Sequence, residues 1–383
     1  MLLRSDRIVG ATHVGPGWIR IVEDRIQAMG IGPGGDGAAA DVDGAEIDLG
    51  RHWIVPGFVD IHVHGGGGHS FQDGADEAAA AAAFHRAHGT TTLLASLVSA
   101  PIDDLVDAVV SLSPLVSDAT LAGLHLEGPF LSASHCGAHD PLYLCAPDAD
   151  RLDRLLDARA GAIRMVTLAP ERAGGIAAIR RLVDAGVTAA IGHTDATYEE
   201  AVAAIGAGAT VATHLFNGMP PIHHRAPGPV LACLASPLVA IELIVDGVHL
   251  HEAVVREVAQ VAGARTVLIT DAISAAGVGN GTYRLGGRVV EVRQGEPRLA
   301  SSGALAGSVL TLDQALRNAV DLGVPWLAAL DAVTVAPARA AGLDGQAGVI
   351  APGRRADLVV LDPDLAVKGV LAAGTWIVAP PAA

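Results

Sequence analysis

The chain has 383 residues, enough for two or three domains or for one α/β barrel with a smaller companion. Hydrophobic residues make up 51% and aromatics only 3%, so the core is built from small and aliphatic side chains. With 41 acidic against 25 basic residues the formal charge is −16, which argues against nucleic acid or an anionic membrane as a main partner. An anionic substrate would need a local basic pocket.

Residues 1–55 read as short strands. Positions 17–26 alternate apolar and polar side chains, and glycine-rich turns follow from Gly32 to Gly37. From 56 to 68 the sequence is PGFVDIHVHGGGG: a buried strand, then His62 and His64 at i and i+2. Side chains two apart on a strand leave from one face, so both imidazoles can reach one metal ion. The other reading is two core or surface histidines beside a flexible loop.

Apolar runs then alternate with helical patterns. Strands are expected at 58–62, 91–97, 122–126, 163–168, 188–191, 210–213, 239–245 and 266–270. Helices are expected at 76–88, 148–158, 172–185, 198–205, 252–262 and 310–322. Eight such units predict an α/β fold, a parallel (β/α)8 TIM barrel over residues 56–347. Asn280-Gly281 and Gly286-Gly287 between β-prone runs at 277–307 predict β-hairpins inserted after strand eight. Residues 348–383 return to short strands, and the two termini are expected to share a small β-sandwich domain.

In such a barrel the active site lies at the C-terminal strand ends. Those ends carry His62, His64, Glu127, His193, His214, Asp246, His249 and Asp271. Glu127 either ligates metal or serves as a cap or salt-bridging acid. With His193 and His214 it gives the N2O set of a catalytic divalent ion. Asp271 is placed to take a proton from water and deliver it to a leaving group, or to act as a further ligand. Cys136 sits in the loop 131–139 and reads as a bystander. The pairs His85/His88 and His223/His224 read as surface or loop residues.

Three unpaired cysteines, Cys136, Cys145 and Cys233, suit a reducing cytoplasm. The opening MLLRSDRIVG has no signal-peptide core. The uncharged run 226–241 is broken by Pro227, Pro229 and Pro237, so no membrane span is expected.

PGFVDIHVHG, the strand-end His193 and His214, and TDA at 270–272 resemble the amidohydrolase superfamily. HLEGPF (125–130), GAHD (137–140), IGHTDA (191–196), THLFNGM (213–219), HRAPG (224–228), VDGVH (245–249) and LAGS (305–308) narrow the resemblance to the N-acetylglucosamine-6-phosphate deacetylase family. The resemblance implies metal ligands at Glu127, His193 and His214, with His62 and His64 admitting a second ion and Asp271 as general base then acid. It implies substrate contacts at Ala138, His139, Asn217, Gly218, Arg225, Asp246, Gly247, Val248, His249, Leu305, Ala306 and Gly307. Arg225 and His249 would hold a phosphate, partly for the neighbouring subunit of a homodimer, and His139 would help stabilise charge on the carbonyl oxygen.

The implied reaction is deacetylation of N-acetylglucosamine 6-phosphate, in amino-sugar catabolism and cell-wall recycling. Zinc is the default metal, with Fe, Co, Mn or Cd as alternatives, at one or two ions per subunit. N-acetylgalactosamine-6-phosphate deacetylation is the first alternative. A cyclic amidase fits less well, because the lone lysine, Lys368, lies outside the barrel and cannot bridge two metals there. A non-catalytic relative would show eroded ligands, and these are present.

Overall fold

The computed structural model describes residues 1–32 and 46–381. Most of the expected turn from Gly32 to Gly37 lies outside the described residues.

Eight parallel strands run in sequence order around one sheet: Phe58–Val63, Thr90–Val98, Gly123–Glu127, Ile163–Leu168, Thr188–Ile191, Val211–Ala212, Ala240–Ile244 and Thr266–Ile269. All eight expected strands are present, with ends shifted by a residue or so. Their interiors are mainly apolar and buried on both faces because helices cover them from outside. The seam between the first and eighth strands closes just past the ladder. There the Asp271 N–H donates to the His62 carbonyl at 2.9 Å and the His64 N–H to that of Ala272 at 2.8 Å. Asp60, fully buried in the first strand, accepts from the Thr270 hydroxyl at 2.6 Å across the same seam. Burial pushes its carboxyl up to about 7 against that hydrogen bond.

The six expected helices form as Ala75–Ala87, Ala149–Ala158, Gly175–Asp184, Tyr198–Gly206, Glu252–Ala262 and Leu312–Asp321. Others were not foreseen. Ile102–Ser117 contains Pro114, and Gly228–Ala235 has a proline in its first turn, where the missing N–H costs nothing. His85 corrects the surface reading: it is fully buried on Ala75–Ala87, and its Nε2 donates to the Gly65 carbonyl at 2.9 Å. Burial lowers its imidazole to about 4. His223 and His224 are exposed, as expected.

Both termini combine in one eight-stranded sheet. Trp53–Pro56 pairs antiparallel with Leu358–Leu361, joining the two ends of the chain beside the first barrel strand. This sheet has its own core, with Leu3, Ile19, Ile54, Leu358 and Leu371. The insertion is a three-stranded antiparallel sheet, Gly281–Leu285, Arg288–Arg293 and Glu296–Leu299. Of the two expected turns, Asn280-Gly281 and Gly286-Gly287, only the second is a hairpin turn; Gly281 begins a strand instead. The insertion packs on Val98, Ile273 and Ala306, at the C-terminal end of the barrel.

Candidate metal centre

The strand ends bring His62, His64, Glu127, His193, His214 and Asp271 into one buried cluster. Glu127 is its hub. Oε1 lies 3.0 Å from His193 Nε2, 2.9 Å from His214 Nε2 and 3.4 Å from His62 Nε2. Oε2 lies 3.1 Å from His64 Nε2 and 3.3 Å from His139 Nε2. Asp271 Oδ1 closes the far side, 3.2 Å from His64 Nε2 and 3.6 Å from His62 Nε2.

The outer ring nitrogens decide which atoms face inward. His64 Nδ1 is 3.1 Å from the Ser96 carbonyl and His193 Nδ1 is 2.8 Å from the His135 carbonyl. Carbonyls only accept, so both histidines carry a proton on Nδ1 and turn Nε2 into the cluster. His62 Nδ1 is likewise held by Glu242 Oε2 at 3.1 Å. His139 is the reverse case. Its Nδ1 accepts from the Ser99 N–H at 3.2 Å, so Nε2 carries a proton and offers a donor, not a ligand lone pair. Burial lowers the His139 imidazole to about 4 despite Glu127, which keeps it neutral.

This donor set fits a divalent cation. His62 and His64 Nε2 are 3.2 Å apart, and His193 and His214 Nε2 are 3.1 Å apart. Two ligands about 2.0–2.1 Å from a tetrahedral ion stand roughly 3.3 Å from each other. Facing lone pairs repel at such distances unless positive charge lies between them. The electrostatics agree. Burial opposes charge on His64, yet hydrogen bonds to Asp271 and Glu127 raise it to about 9, and similar pulls raise His62. Burial would raise Asp271, but the charge of His62 and the hydrogen bond from His64 hold it at about 2. The cluster stabilises positive charge at its centre. His193, His214 and Asp271 also have φ values of 46°, 28° and 48°, left-handed backbone that bulky residues hold only under constraint.

Beside the cluster is a cavity of about 220 Å³. Of the expected substrate contacts it is lined by Ala138, His139, Asn217, Gly218, His249, Leu305 and Gly307. Ala306 is buried behind it, and Asp246, Gly247 and Val248 do not line it. Asp246 reaches it indirectly, accepting from His249 Nδ1 at 2.7 Å. Burial works against charge on His249, but this bond and the Asp246 charge raise it, favouring imidazolium. Arg225 is exposed, outside the cavity, with His224 at 2.7 Å.

A model described as the amidohydrolase family matches residues 53–377. The chain belongs to the amidohydrolase family. Its fold matches that of a mutant N-acetyl-D-glucosamine-6-phosphate deacetylase from Mycobacterium smegmatis in complex with N-acetyl-D-glucosamine-6-phosphate. The identity is 48%, the TM-score 0.93, and 99% of each chain is covered. N-acetylgalactosamine-6-phosphate deacetylase from Escherichia coli O157:H7 is 38% identical over 83% of this chain and 85% of its own. N-acetylglucosamine-6-phosphate deacetylase from Lysinibacillus sphaericus is 36% identical over 84% of each. Amidohydrolases depend on metal, and this chain's His, Glu and Asp groups could hold one.

Sequence reasoning passed over one residue of this amidohydrolase's centre. Glu242 lies fully buried in the seventh strand. Its Oε2 accepts from His62 Nδ1 and from the His214 backbone N–H, both at 3.1 Å. The signal was there: a lone acid inside the apolar strand AIELI.

Proposed function

We propose that this amidohydrolase hydrolyses the acetamide of N-acetyl-D-glucosamine 6-phosphate to D-glucosamine 6-phosphate and acetate, serving amino-sugar catabolism and cell-wall recycling. What carries the reading is one small cavity with an imidazole, His249 backed by Asp246, and a carboxylate–imidazole cluster around Glu127 and Asp271. Glu127, His193 and His214 would hold the primary divalent ion, and His62, His64 and Asp271 would hold a second. Zinc suits the histidine–carboxylate set best; Fe, Co, Mn and Cd are its competitors. When bound, the ion supplies Lewis acidity, which makes water nucleophilic near neutral pH and polarises the acetyl carbonyl.

The chain's own groups do the rest. Asp271, kept ionised, accepts the proton of the attacking water. His139 donates Nε2–H to the carbonyl oxygen as negative charge develops there. The C–N bond then breaks as Asp271 returns its proton to the nitrogen, leaving amine and acetate. His249 and Arg225 bind the phosphate and fix the sugar so that the acetamide faces Glu127. Because Arg225 stands outside its own cavity, we assign it to the neighbouring site of a homodimer. Among the described residues no helix is long and apolar enough to cross a membrane, and the free cysteines fit a cytoplasmic enzyme.

The similarity to the Escherichia coli relative supports a second reading, the galactosamine epimer as substrate. Acetate release should be measured from both 6-phosphates and from unphosphorylated N-acetylglucosamine, with metals quantified on the same sample. Fast release from the glucosamine epimer alone, reduced about 10²–10⁴-fold in kcat by Asp271→Asn, is expected. Faster release from the galactosamine epimer selects the second reading. No release from either by metal-loaded protein overturns both.

A further inference from the structure

A second cavity, of about 410 Å³, opens at the opposite end of the barrel, between it and the terminal sheet. Thr91 and Thr92 stand at the start of the second barrel strand and Arg164 at the start of the fourth, while Arg354 and Arg355 lead into Leu358–Leu361. From Thr92 to Val98, at 3.3 Å per residue, the cavity is roughly 20 Å from the cluster around Glu127.

Its lining carries four arginines, Arg25 among them, against one acid, Asp24, in a protein of net charge −16. Asp24 is 3.5 Å from Arg25, and Arg355 is engaged by Asp357 at 2.6 Å. Arg164 and Arg354 have no acidic partner among the described residues. The Nε of Arg164 and the Oγ1 atoms of Thr91 and Thr92 are buried without any hydrogen-bond partner. The two threonines are only 4% and 7% exposed. Buried donors are rarely left unpaired, because each then loses its hydration for nothing. Nearby Arg86 is lowered by burial and then by the charge of Arg355, a sign of concentrated positive charge.

We propose that this cavity binds a small phosphate-class oxyanion, separate from the active site. Two unpartnered guanidiniums match a doubly charged tetrahedral anion, and its several oxygens can accept from both arginines and from the Thr92 hydroxyl at once. The remaining volume leaves room for a small organic body on the phosphate. Bound there, the anion would tie the terminal sheet to the base of the barrel.

Calorimetric titration of the metal-loaded protein with inorganic phosphate and with glycerol 3-phosphate, at ionic strength fixed with chloride, tests this. The Arg164→Gln/Arg354→Gln double variant should bind about tenfold or more weakly. His249→Asn, altered in the active site, should keep this binding. Tighter binding of the organic phosphate than of the inorganic ion would identify a phosphorylated metabolite as the occupant; the reverse order would identify free phosphate. Thr92→Val keeps every charge, guarding against a double variant that fails to fold, and should also bind more weakly. Crystals soaked in tungstate should show an anomalous peak between Arg164 and Arg354. Unchanged affinity in both variants, binding lost in His249→Asn, or no peak at this cavity overturns the proposal.

Discussion

At the residue scale, the chemistry depends on which nitrogen of each histidine faces inward, and that is set one bond further out. Ser96 and His135 do it with carbonyls and Glu242 with a carboxylate. Glu242 also accepts from the His214 backbone, so one acid orients the His62 ring on the first strand and the main chain at His214 just after the sixth. Glu242→Gln keeps the shape but removes the charge that pulls on His62. Competition with a coloured chelator should show metal affinity reduced about 10–100-fold, with kcat largely restored at saturating metal. Unchanged affinity would mean that Glu242 is only a packing residue.

At the element scale, the helices and the loop after strand eight hold these residues in place. Asp313, in the first turn of Leu312–Asp321, meets Arg317 at 2.8 Å and His88 of another helix at 3.4 Å. Burial would raise its carboxyl, yet the His88 hydrogen bond, one from Thr311 and the Arg317 charge hold it at about 2. A folded-state value depressed in this way adds stability above the unfolded value near 3.9 and loses it as pH falls through 2. That is about 2 kcal/mol of stability. Denaturation at about pH 5 and at about pH 2 should show a loss of stability about 2 kcal/mol larger in the wild type than in Asp313→Asn. Gly307 makes a similar point for the loop. At φ 63°, a Cβ on it would lie 2.7 Å from the Asp271 carbonyl oxygen and from Ile273 Cγ2. Gly307→Ala should cost more than the roughly 1–2 kcal/mol of left-handed backbone strain and lower kcat by shifting Asp271. A variant with normal Tm and kcat would show that the loop adjusts freely.

At the scale of the whole molecule, the question is whether one chain makes a complete site. Arg225 is exposed while its predicted companion His249 lines the cavity, as expected if the arginine serves a second copy. Asp271→Asn and Arg225→Gln should each be nearly inactive alone. Mixed under conditions of subunit exchange, they should regain activity, because a hybrid dimer rebuilds one site with Asp271 from one subunit and Arg225 from the other. No recovery from a mixture shown to contain hybrids would place Arg225 on its own subunit's substrate.

The sequence alone determined the barrel, the ends of its strands and the histidine and carboxylate side chains there. Strand-period apolar runs ending in His, Glu or Asp constrain the fold locally, and His62 and His64 share a face simply because they are two residues apart. The paired termini and the inserted hairpins were also legible, from alternation and from turn glycines. Tertiary structure decided what depends on neighbours far apart in the chain. His85 looks like any helical histidine until Gly65 covers it, and His139 becomes a donor only because the Ser99 N–H meets its other nitrogen. Glu242 lies 180 positions along the chain from His62, and Arg164 lies far in sequence from Arg354; only closure of the barrel brings either pair into one electrostatic environment. Composition and periodicity fix which faces are apolar, while hydrogen-bond partners across the closed sheet fix what the polar side chains buried among them can do.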